Sequence, residues 1–287
     1  MPLRLSAGLP RRACGGRGHC GERVRLSKPP LHFSHANGFP APCYAQMFDA
    51  LGKRYRIGWV EAIGMDPRYP VTEGWPRLVE QLIDTLEREY RGAPVLGVGH
   101  SLGGYLSFLA AVRRPELFRA IVLLDAPVIG VLRGRMLGAT KRLGIVDRVT
   151  PAGATRDRRS TWDSPTDAKR HFRSRRLFRH FTEACLDDYV RHGLVRSGGA
   201  LELRIEPQVE YQIYRTIPHD MGRQLRRLRV PGGFVGGEHS DVVRRTGLAA
   251  TRRRFALRKV PGGHLFPFEH PTEAAAAVME LADTLLQ

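Results

Sequence analysis

Residues 95–104 read VLGVGHSLGG, and this stretch decides the fold class of the chain. The apolar run 95–99 is typical of a buried strand, and residues 106–112 have the composition of a following helix. Between them lies a Gly-x-Ser-x-Gly pattern centred on Ser101. A serine on such a sharp strand-to-helix turn has a strained backbone, and the flanking glycines prevent side-chain clashes. The stretch therefore predicts a reactive serine at the carboxyl end of a strand.

Strand and helix patterns alternate on both sides of this turn. A parallel sheet covered on both faces has this alternation with short connections, so the sequence predicts an α/β fold with a mostly parallel sheet and helices on both faces. Predicted strands lie at 31–33, 57–60 (as a buried strand), 95–99, 120–124, 233–235 and 255–260, and predicted helices at 75–86, 106–112, 242–254 and 272–286.

The alternation stops over residues 127–229. Apolar residues there recur at helical spacing among many arginines, which predicts a helical insertion. The chain is thus divided into a basic, disordered extension at 1–30, a core domain at 31–126 and 230–287, and a helical cap domain at 127–229.

The charge of the chain is unevenly distributed. The net charge is +18, and residues 127–229 alone carry 22 basic and 11 acidic side chains. Residues 1–30 carry seven basic and one acidic side chain, whereas residues 31–126 carry ten of each. A basic protein can bind nucleic acid, but the motif-bearing core is neutral and contains no recognition motif, so no nucleic-acid partner is expected.

The remaining composition excludes several classes of protein. No apolar stretch approaches the roughly 18 residues of a membrane-spanning helix. The four cysteines are scattered, which suits a reducing compartment, and a soluble cytoplasmic protein is expected. Cys14, His19 and Cys20 lack a second ligand pair, so no metal site is expected, and no dinucleotide or phosphate-binding motif implies a cofactor. The expected partner is a small-molecule substrate, and the oligomeric state stays open.

A serine nucleophile needs a base and an orienting acid. His264 follows the last predicted strand directly, which places it at the same sheet edge as Ser101. Three carboxylates can lie at that edge. Asp125 follows the strand next to the serine's strand and is favoured, whereas Asp241 and then Glu238 are the alternatives.

Acyl transfer also needs hydrogen-bond donors for the developing oxyanion. The backbone N–H groups of Leu102, after the serine, and of Phe39, in the loop after the first strand, are the candidates. Their neighbours are expected to contact the substrate. These are Asn37, Gly38, His100 and Leu265.

Four motifs together resemble the α/β-hydrolase superfamily. They are HANGFP at 35–40, GHSLGG at 99–104, LLDAP at 123–127 and GGHLFPFEHP at 262–271. The resemblance implies that Ser101 is the nucleophile, that His264 acts first as base and then as acid, and that residues 127–229 are the cap between the sixth and seventh strands. Two features depart from the family pattern. No hairpin pattern precedes HANGFP, and residues 237–241 read GEHSD instead of Gly-x-x-Asp.

The predicted function is hydrolysis of a carboxylic ester, thioester or lactone through an acyl-enzyme on Ser101. C–C bond hydrolysis and acyl transfer use the same residues and stay open, and a non-catalytic binding protein of this fold is a further alternative. Ser101 argues against dehalogenases and epoxide hydrolases, which use aspartate at this position. Arginines in the insertion suggest an acidic or amphipathic ester. These are Arg156, Arg158, Arg159, Arg170, Arg173, Arg175 and Arg176.

Overall fold

A computed structural model describes residues 28–156 and 158–287. The expectations for the extension, including Cys14, His19 and Cys20, therefore lie outside the described residues apart from its last three. Nine strands form in the described part of the chain. They are β1 (Pro30–Ser34), β2 (Arg56–Trp59), β3 (Val95–His100), β4 (Phe118–Leu124), β5 (Thr161–Trp162), β6 (Leu194–Ser197), β7 (Ala200–Leu203), β8 (Gly232–Gly237) and β9 (Phe255–Val260).

Thirteen α-helices accompany these strands in the same residues. They are α1 (Ala45–Leu51), α2 (Pro76–Tyr90), α3 (Leu102–Arg113), α4 (Val131–Arg142), α5 (Val146–Val149), α6 (Ala152–Thr155), α7 (Pro165–Ser174), α8 (Glu183–His192), α9 (Pro207–Arg215), α10 (Met221–Gln224), α11 (Asp241–Thr246), α12 (Phe266–Glu269) and α13 (Pro271–Leu285). None of these helices combines the length and apolar character needed to cross a bilayer.

Six strands form one parallel sheet in the order β2-β1-β3-β4-β8-β9. Alternate residues of β4 face opposite sides. Val122 packs with α1 and α13 residues in one core, and Ile121 and Leu123 pack with α2 and α3 residues in the other. The period-two alternation of a strand has this consequence when both faces are covered. The predicted α/β fold class is confirmed.

The carboxyl ends of the parallel strands bring the predicted functional loops together. Loop 35–40 follows β1, Ser101 follows β3, and Asp125 follows β4. Residues 238–240 follow β8, and His264 lies shortly after β9. Adjacent strands in register place these loops side by side along one edge of the sheet, where ligands bind in open α/β sheets.

The segment 127–229 is not purely helical, which corrects the sequence-based expectation. It contains α4 to α10, but also a three-stranded antiparallel sheet in the order β5-β7-β6. Ser197 pairs with Ala200 across a two-residue turn in which Gly198 and Gly199 have φ of 54° and 90°. Positive φ at both turn residues is the requirement of a tight hairpin turn, and the Gly-Gly pair signals it.

The insertion lies between β4 and β8. Along the described residues these are the fourth and fifth strands of the six-stranded sheet, whereas the resemblance counts the flanking strands as the sixth and seventh of the family's fold.

Two local expectations were wrong. The strand at 57–60 was predicted to be buried, but β2 is an edge strand whose Arg56 and Trp59 are exposed. The helix predicted over 242–254 is split, because α11 ends at Thr246, directly before Gly247, which has φ of 72°. A glycine in this region of φ commonly ends a helix.

Candidate active site

Ser101 occupies the sharp turn between β3 and α3. Its φ is 51° and its ψ is −113°, a conformation that a residue with a Cβ rarely adopts. The Ser101 N–H donates to the Leu124 carbonyl at 2.9 Å, which ties the turn to β4. Such strain persists only where surrounding contacts enforce it, and it is frequent at functional sites.

The glycines of the motif are required by close backbone approach. A Cβ on Gly99 would collide with the backbone of Gly103, and a Cβ on Gly103 would collide with the Ser34 carbonyl. The Gly103 N–H also donates to the His35 carbonyl at 3.1 Å. The turn that carries Ser101 is thus packed directly against the end of β1, which places Ser101 beside loop 35–40.

His264 lies between Ser101 and Asp125. Its Nδ1 is 2.6 Å from Asp125 Oδ2, and its Nε2 is 3.1 Å from Ser101 Oγ. An ionised carboxylate only accepts hydrogen bonds, so the ring proton of neutral His264 belongs on Nδ1. Nε2 then has a free lone pair that accepts the serine hydroxyl. The structure therefore brings the three residues into one hydrogen-bonded chain.

Asp125 is completely buried, yet its carboxylate has three hydrogen-bond donors. Oδ1 accepts the Gly237 N–H at 3.0 Å, while Oδ2 accepts both His264 and the hydroxyl of Ser240. Asp125 itself has φ of 45° and donates its N–H to the Val235 carbonyl at 2.8 Å. The carboxylate is held in one orientation by two neighbouring strand ends.

Ser240 was not identified from the sequence. It lies three residues after Gly237, where the family pattern Gly-x-x-Asp has its aspartate, and this position was the available signal. Its side chain also accepts the Val243 N–H at the start of α11. Ser240 thus occupies the position at which the family pattern has its aspartate, and it donates a hydrogen bond to Asp125 from there.

The two alternative acids do not contact His264 in the structure. Glu238 is exposed at the end of β8. Asp241 begins α11 and forms an ion pair with Arg244 at 2.6 Å, and its side chain is 45% exposed. Asp125 is the one of the three candidate carboxylates that is hydrogen-bonded to His264.

A second chain of hydrogen bonds fixes the main chain of His264. The His264 carbonyl accepts from His100 Nε2 at 2.9 Å, and His100 Nδ1 accepts the Tyr44 hydroxyl at 2.8 Å. Tyr44 in turn accepts the Ala36 N–H at 3.2 Å. Burial lowers the pKa of His100 well below its usual value, so the ring is neutral. This chain links the histidine loop to loop 35–40.

His100 and Leu265, both expected to contact substrate, are buried. His100 uses both ring nitrogens in the chain just described, and Leu265 precedes α12. The histidine loop has a further support that the sequence did not indicate, since Glu269 Oε2 accepts the Gly263 N–H at 2.8 Å.

The candidate oxyanion donors differ in their present partners. Leu102 is the first residue of α3, where an N–H has no carbonyl partner within the helix. The Phe39 N–H, in contrast, donates to the Ala36 carbonyl at 3.1 Å within its own loop. Gly38, with φ of 79°, makes this tight turn possible. The Phe39 N–H must therefore share its hydrogen between the Ala36 carbonyl and an oxyanion in order to act as the second donor.

The insertion packs directly on loop 35–40. Asn37 is buried and its Nδ2 donates to the Glu210 carbonyl at 3.0 Å, while the Tyr189 hydroxyl donates to the Gly38 carbonyl at 3.3 Å. Several of the arginines noted in the sequence pair with carboxylates. These are Arg158 with Glu210, Arg159 with Asp167, and Arg173 with Glu183.

Metal ligation has no evident site in the described part of the chain. Across residues 28–156 and 158–287, no group of three or more His, Cys, Asp or Glu side chains is arranged to hold a metal ion.

The sequence matches the model of the alpha/beta hydrolase family over residues 33–278. A monoglyceride lipase homolog of monkeypox virus is 32% identical over 88 residues, which cover 28% of this chain and 32% of that protein. The monoglyceride lipase of Mus musculus is 40% identical over 53 residues, 18% of each protein. The matched segments thus span about a third of the monkeypox virus protein and about a fifth of the Mus musculus lipase.

The fold is shared with solved structures. The crystal structure of E-2-(acetamidomethylene)succinate hydrolase superposes with a TM-score of 0.72 at 21% identity. The superposition covers 90% of this chain and 92% of that one. At this level of identity the likeness concerns the fold.

Proposed function

This chain belongs to the alpha/beta hydrolase family and is a hydrolase, and from this premise we propose that it cleaves a carboxylic ester, thioester or lactone through an acyl-enzyme on Ser101. The observation that carries the proposal is the chain of hydrogen bonds from Ser101 through His264 to Asp125. A serine hydroxyl is a weak nucleophile unless an adjacent base takes its proton. Here the base is in contact with the hydroxyl and is itself oriented by a buried carboxylate.

The first half of the reaction transfers the acyl group to the enzyme. Ser101 Oγ attacks the carbonyl carbon while its proton moves to His264 Nε2, and the imidazolium is stabilised by Asp125. The tetrahedral intermediate collapses when the carbon–oxygen or carbon–sulfur bond to the leaving group breaks. His264 donates its proton to the leaving oxygen or sulfur, which departs as an alcohol or thiol or, in a lactone, stays attached to the acyl group as a hydroxyl.

The second half regenerates the enzyme. A water molecule attacks the acyl-enzyme, gives its proton to His264 Nε2, and releases the carboxylic acid when Ser101 Oγ recovers that proton. In both halves the Leu102 N–H stabilises the oxyanion, with Phe39 as the second donor. Removing one such donor lowers kcat by roughly 100- to 1000-fold in enzymes of this type.

The ester assignment is supported by the curated relatives, two of which carry the name monoglyceride lipase. Their matches are short, so the assignment rests mainly on the site. C–C bond hydrolysis and acyl transfer to another acceptor would use the same three residues. Identification of the products in ¹⁸O-labelled water distinguishes them. Both kinds of hydrolysis place the label in a carboxylic acid, whereas acyl transfer to another acceptor does not. The other product is an alcohol or thiol after ester or thioester hydrolysis and a compound with a new C–H bond after C–C bond hydrolysis.

The first test is labelling with a fluorophosphonate probe followed by mapping of the modified residue. We expect modification of Ser101 in the unaltered protein, no modification in Ser101→Ala, and a loss of ester hydrolysis in that variant of roughly 10⁵- to 10⁶-fold. Ser107, which lies on α3 and is buried, provides a control, since Ser107→Ala retains the proposed machinery. Absence of labelling in folded protein would overturn the proposal.

A further inference from the structure

A buried carboxylate of the insertion lies against the loop that carries the candidate oxyanion donor. Glu210, on α9, is 2% exposed. A Cβ on Gly38 would collide with its Oε1 and come within 2.9 Å of its Cδ, so the carboxyl group touches the backbone immediately before Phe39. The Glu210 main-chain carbonyl also accepts from Asn37. One residue of the insertion thus contacts two consecutive residues of loop 35–40.

The charge of Glu210 is balanced by one side chain. Arg158 Nη2 lies 2.8 Å from Glu210 Oε1. Neither of these atoms, nor Arg158 Nε, makes a hydrogen bond of good geometry to a described residue, and all three are buried. The pair is therefore held mainly by charge and packing, with Tyr189 as a further hydrogen-bond contact of Arg158.

The other titratable groups around Glu210 and in loop 35–40 keep the same charge across the working pH range. Burial raises the pKa of Tyr189, on α8, and raises the pKa of Tyr214, on α9, to about 12, so both hydroxyls are neutral. In loop 35–40, burial lowers the pKa of His35 to about 4, and this ring is neutral above that value. Arg158 is always charged. Glu210 is the group whose ionisation changes near neutrality, because burial raises its pKa to about 7.

Protonation of Glu210 would change the packing on loop 35–40. A neutral carboxyl group no longer attracts the charge of Arg158, whose Nη2 lies 2.8 Å from Glu210 Oε1 in the ion pair. The Arg158 side chain is 23% exposed, so it turns toward water while the insertion stays packed, and the carboxyl group against Gly38 loses the partner that orients it. The position of Gly38 is then less closely defined, whereas Asn37 keeps its hydrogen bond to the Glu210 main-chain carbonyl.

We propose that Glu210 is a positioning residue whose ionised carboxylate, paired with Arg158, holds loop 35–40 and its Phe39 N–H in place for the reaction at Ser101. The inference rests on the proposed function. It requires two groups to be deprotonated for reaction, His264 and Glu210, although only His264 touches the reacting atoms.

The test uses the second-order rate constant for fluorophosphonate labelling of Ser101, measured from pH 5 to pH 9, so that no natural substrate is needed. In the unaltered chain, we expect the logarithm of this constant to fall with a slope of two toward low pH, because two protons are bound. Glu210→Gln should show a slope of one, and its plateau should be lowered roughly 10- to 100-fold, the effect typical of a misplaced catalytic group. Glu210→Asp should restore the second proton.

Glu206→Gln is the matched control, since Glu206 is exposed at the start of the same helix. It should keep the slope of two and the plateau. A slope of one in the unaltered chain, or a plateau unchanged in folded Glu210→Gln, overturns the role of Glu210 while labelling of Ser101 still supports the hydrolase. Absence of labelling at every pH overturns the proposed function itself.

Discussion

Two buried carboxylates contact different loops of the candidate site, since Asp125 of the core contacts His264 and Glu210 of the insertion lies against Gly38. Asp125 receives hydrogen bonds from Gly237, Ser240 and His264. Glu210 has an arginine at 2.8 Å, and its Oε1 has no hydrogen bond to a described residue. Both side chains are almost fully buried, so burial does not distinguish them. The difference lies in the number of directed donors.

This contrast shows how the same chain builds a rigid and an adjustable contact. Directed donors define the position of Asp125, because Gly237 ends β8, and Ser240 and His264 lie in the loops that follow β8 and β9. The Glu210–Arg158 pair joins a helix of the insertion to an irregular segment, and charge alone does not define its geometry. A fully hydrogen-bonded network specifies one structure, whereas a partly satisfied one changes readily.

The largest effect in this comparison is expected on the Asp125 side. Asp125→Asn should lower kcat by roughly 10³- to 10⁴-fold, because the amide no longer requires the proton on Nδ1 of His264. The measurement is steady-state hydrolysis of a chromogenic ester. Asp241→Asn is the control and should retain full activity; if it lost as much as Asp125→Asn, the assignment of the acid would be wrong.

The position of Ser240 allows a sharper version of that experiment. Its hydroxyl shares Asp125 Oδ2 with His264, so a carboxylate at residue 240 has access to Nδ1. We expect the double variant with Asp125→Asn and Ser240→Asp to have a kcat at least roughly tenfold higher than that of Asp125→Asn alone. Tenfold corresponds to about 1.4 kcal/mol on the barrier. No recovery of kcat in a folded double variant would show that the carboxylate is required at position 125 itself.

On the Glu210 side, the next effect concerns stability. The pKa of Glu210 is about 7 in the folded protein and near 4.5 without burial, so folding takes up a proton between these values. The free energy of unfolding should therefore fall as pH rises from 5 to 8, by about 3 kcal/mol relative to Glu210→Gln. Urea unfolding of both proteins at several pH values measures this, and parallel pH profiles would contradict it.

The smallest effect is expected in the hydrogen-bond chain that joins loop 35–40 to the main chain of His264. Tyr44→Phe removes the hydroxyl that links Ala36 to His100, and we expect kcat to fall roughly tenfold and stability to fall by about 1–3 kcal/mol. Tyr55→Phe is the matched control, because the buried Tyr55 hydroxyl has no hydrogen-bond partner among the described residues. Equal effects of the two substitutions would argue against a specific role for Tyr44.

Much of the core was predictable because its signals are local. The apolar runs that became β3 and β4, and the Gly-x-Ser-x-Gly turn between β3 and α3, follow from residue spacing alone. The misassigned parts depend on distant contacts. The exposure of β2 results from its place at the sheet edge, and the small sheet of the insertion depends on pairing between residues 161 and 202 as well as on the local Gly-Gly turn.

The sequence by itself determined the fold class and pointed to Ser101 and His264, since a glycine pattern, a strand and the chain order identify them. It left Asp125, Asp241 and Glu238 as alternatives, because all three follow strands that end at one edge. Only the tertiary structure decided which carboxylate contacts His264, and that Ser240 supports it. The same holds for the pairing of Glu210 with Arg158 and Gly38, because these residues are far apart in sequence and meet only when the insertion packs on the core.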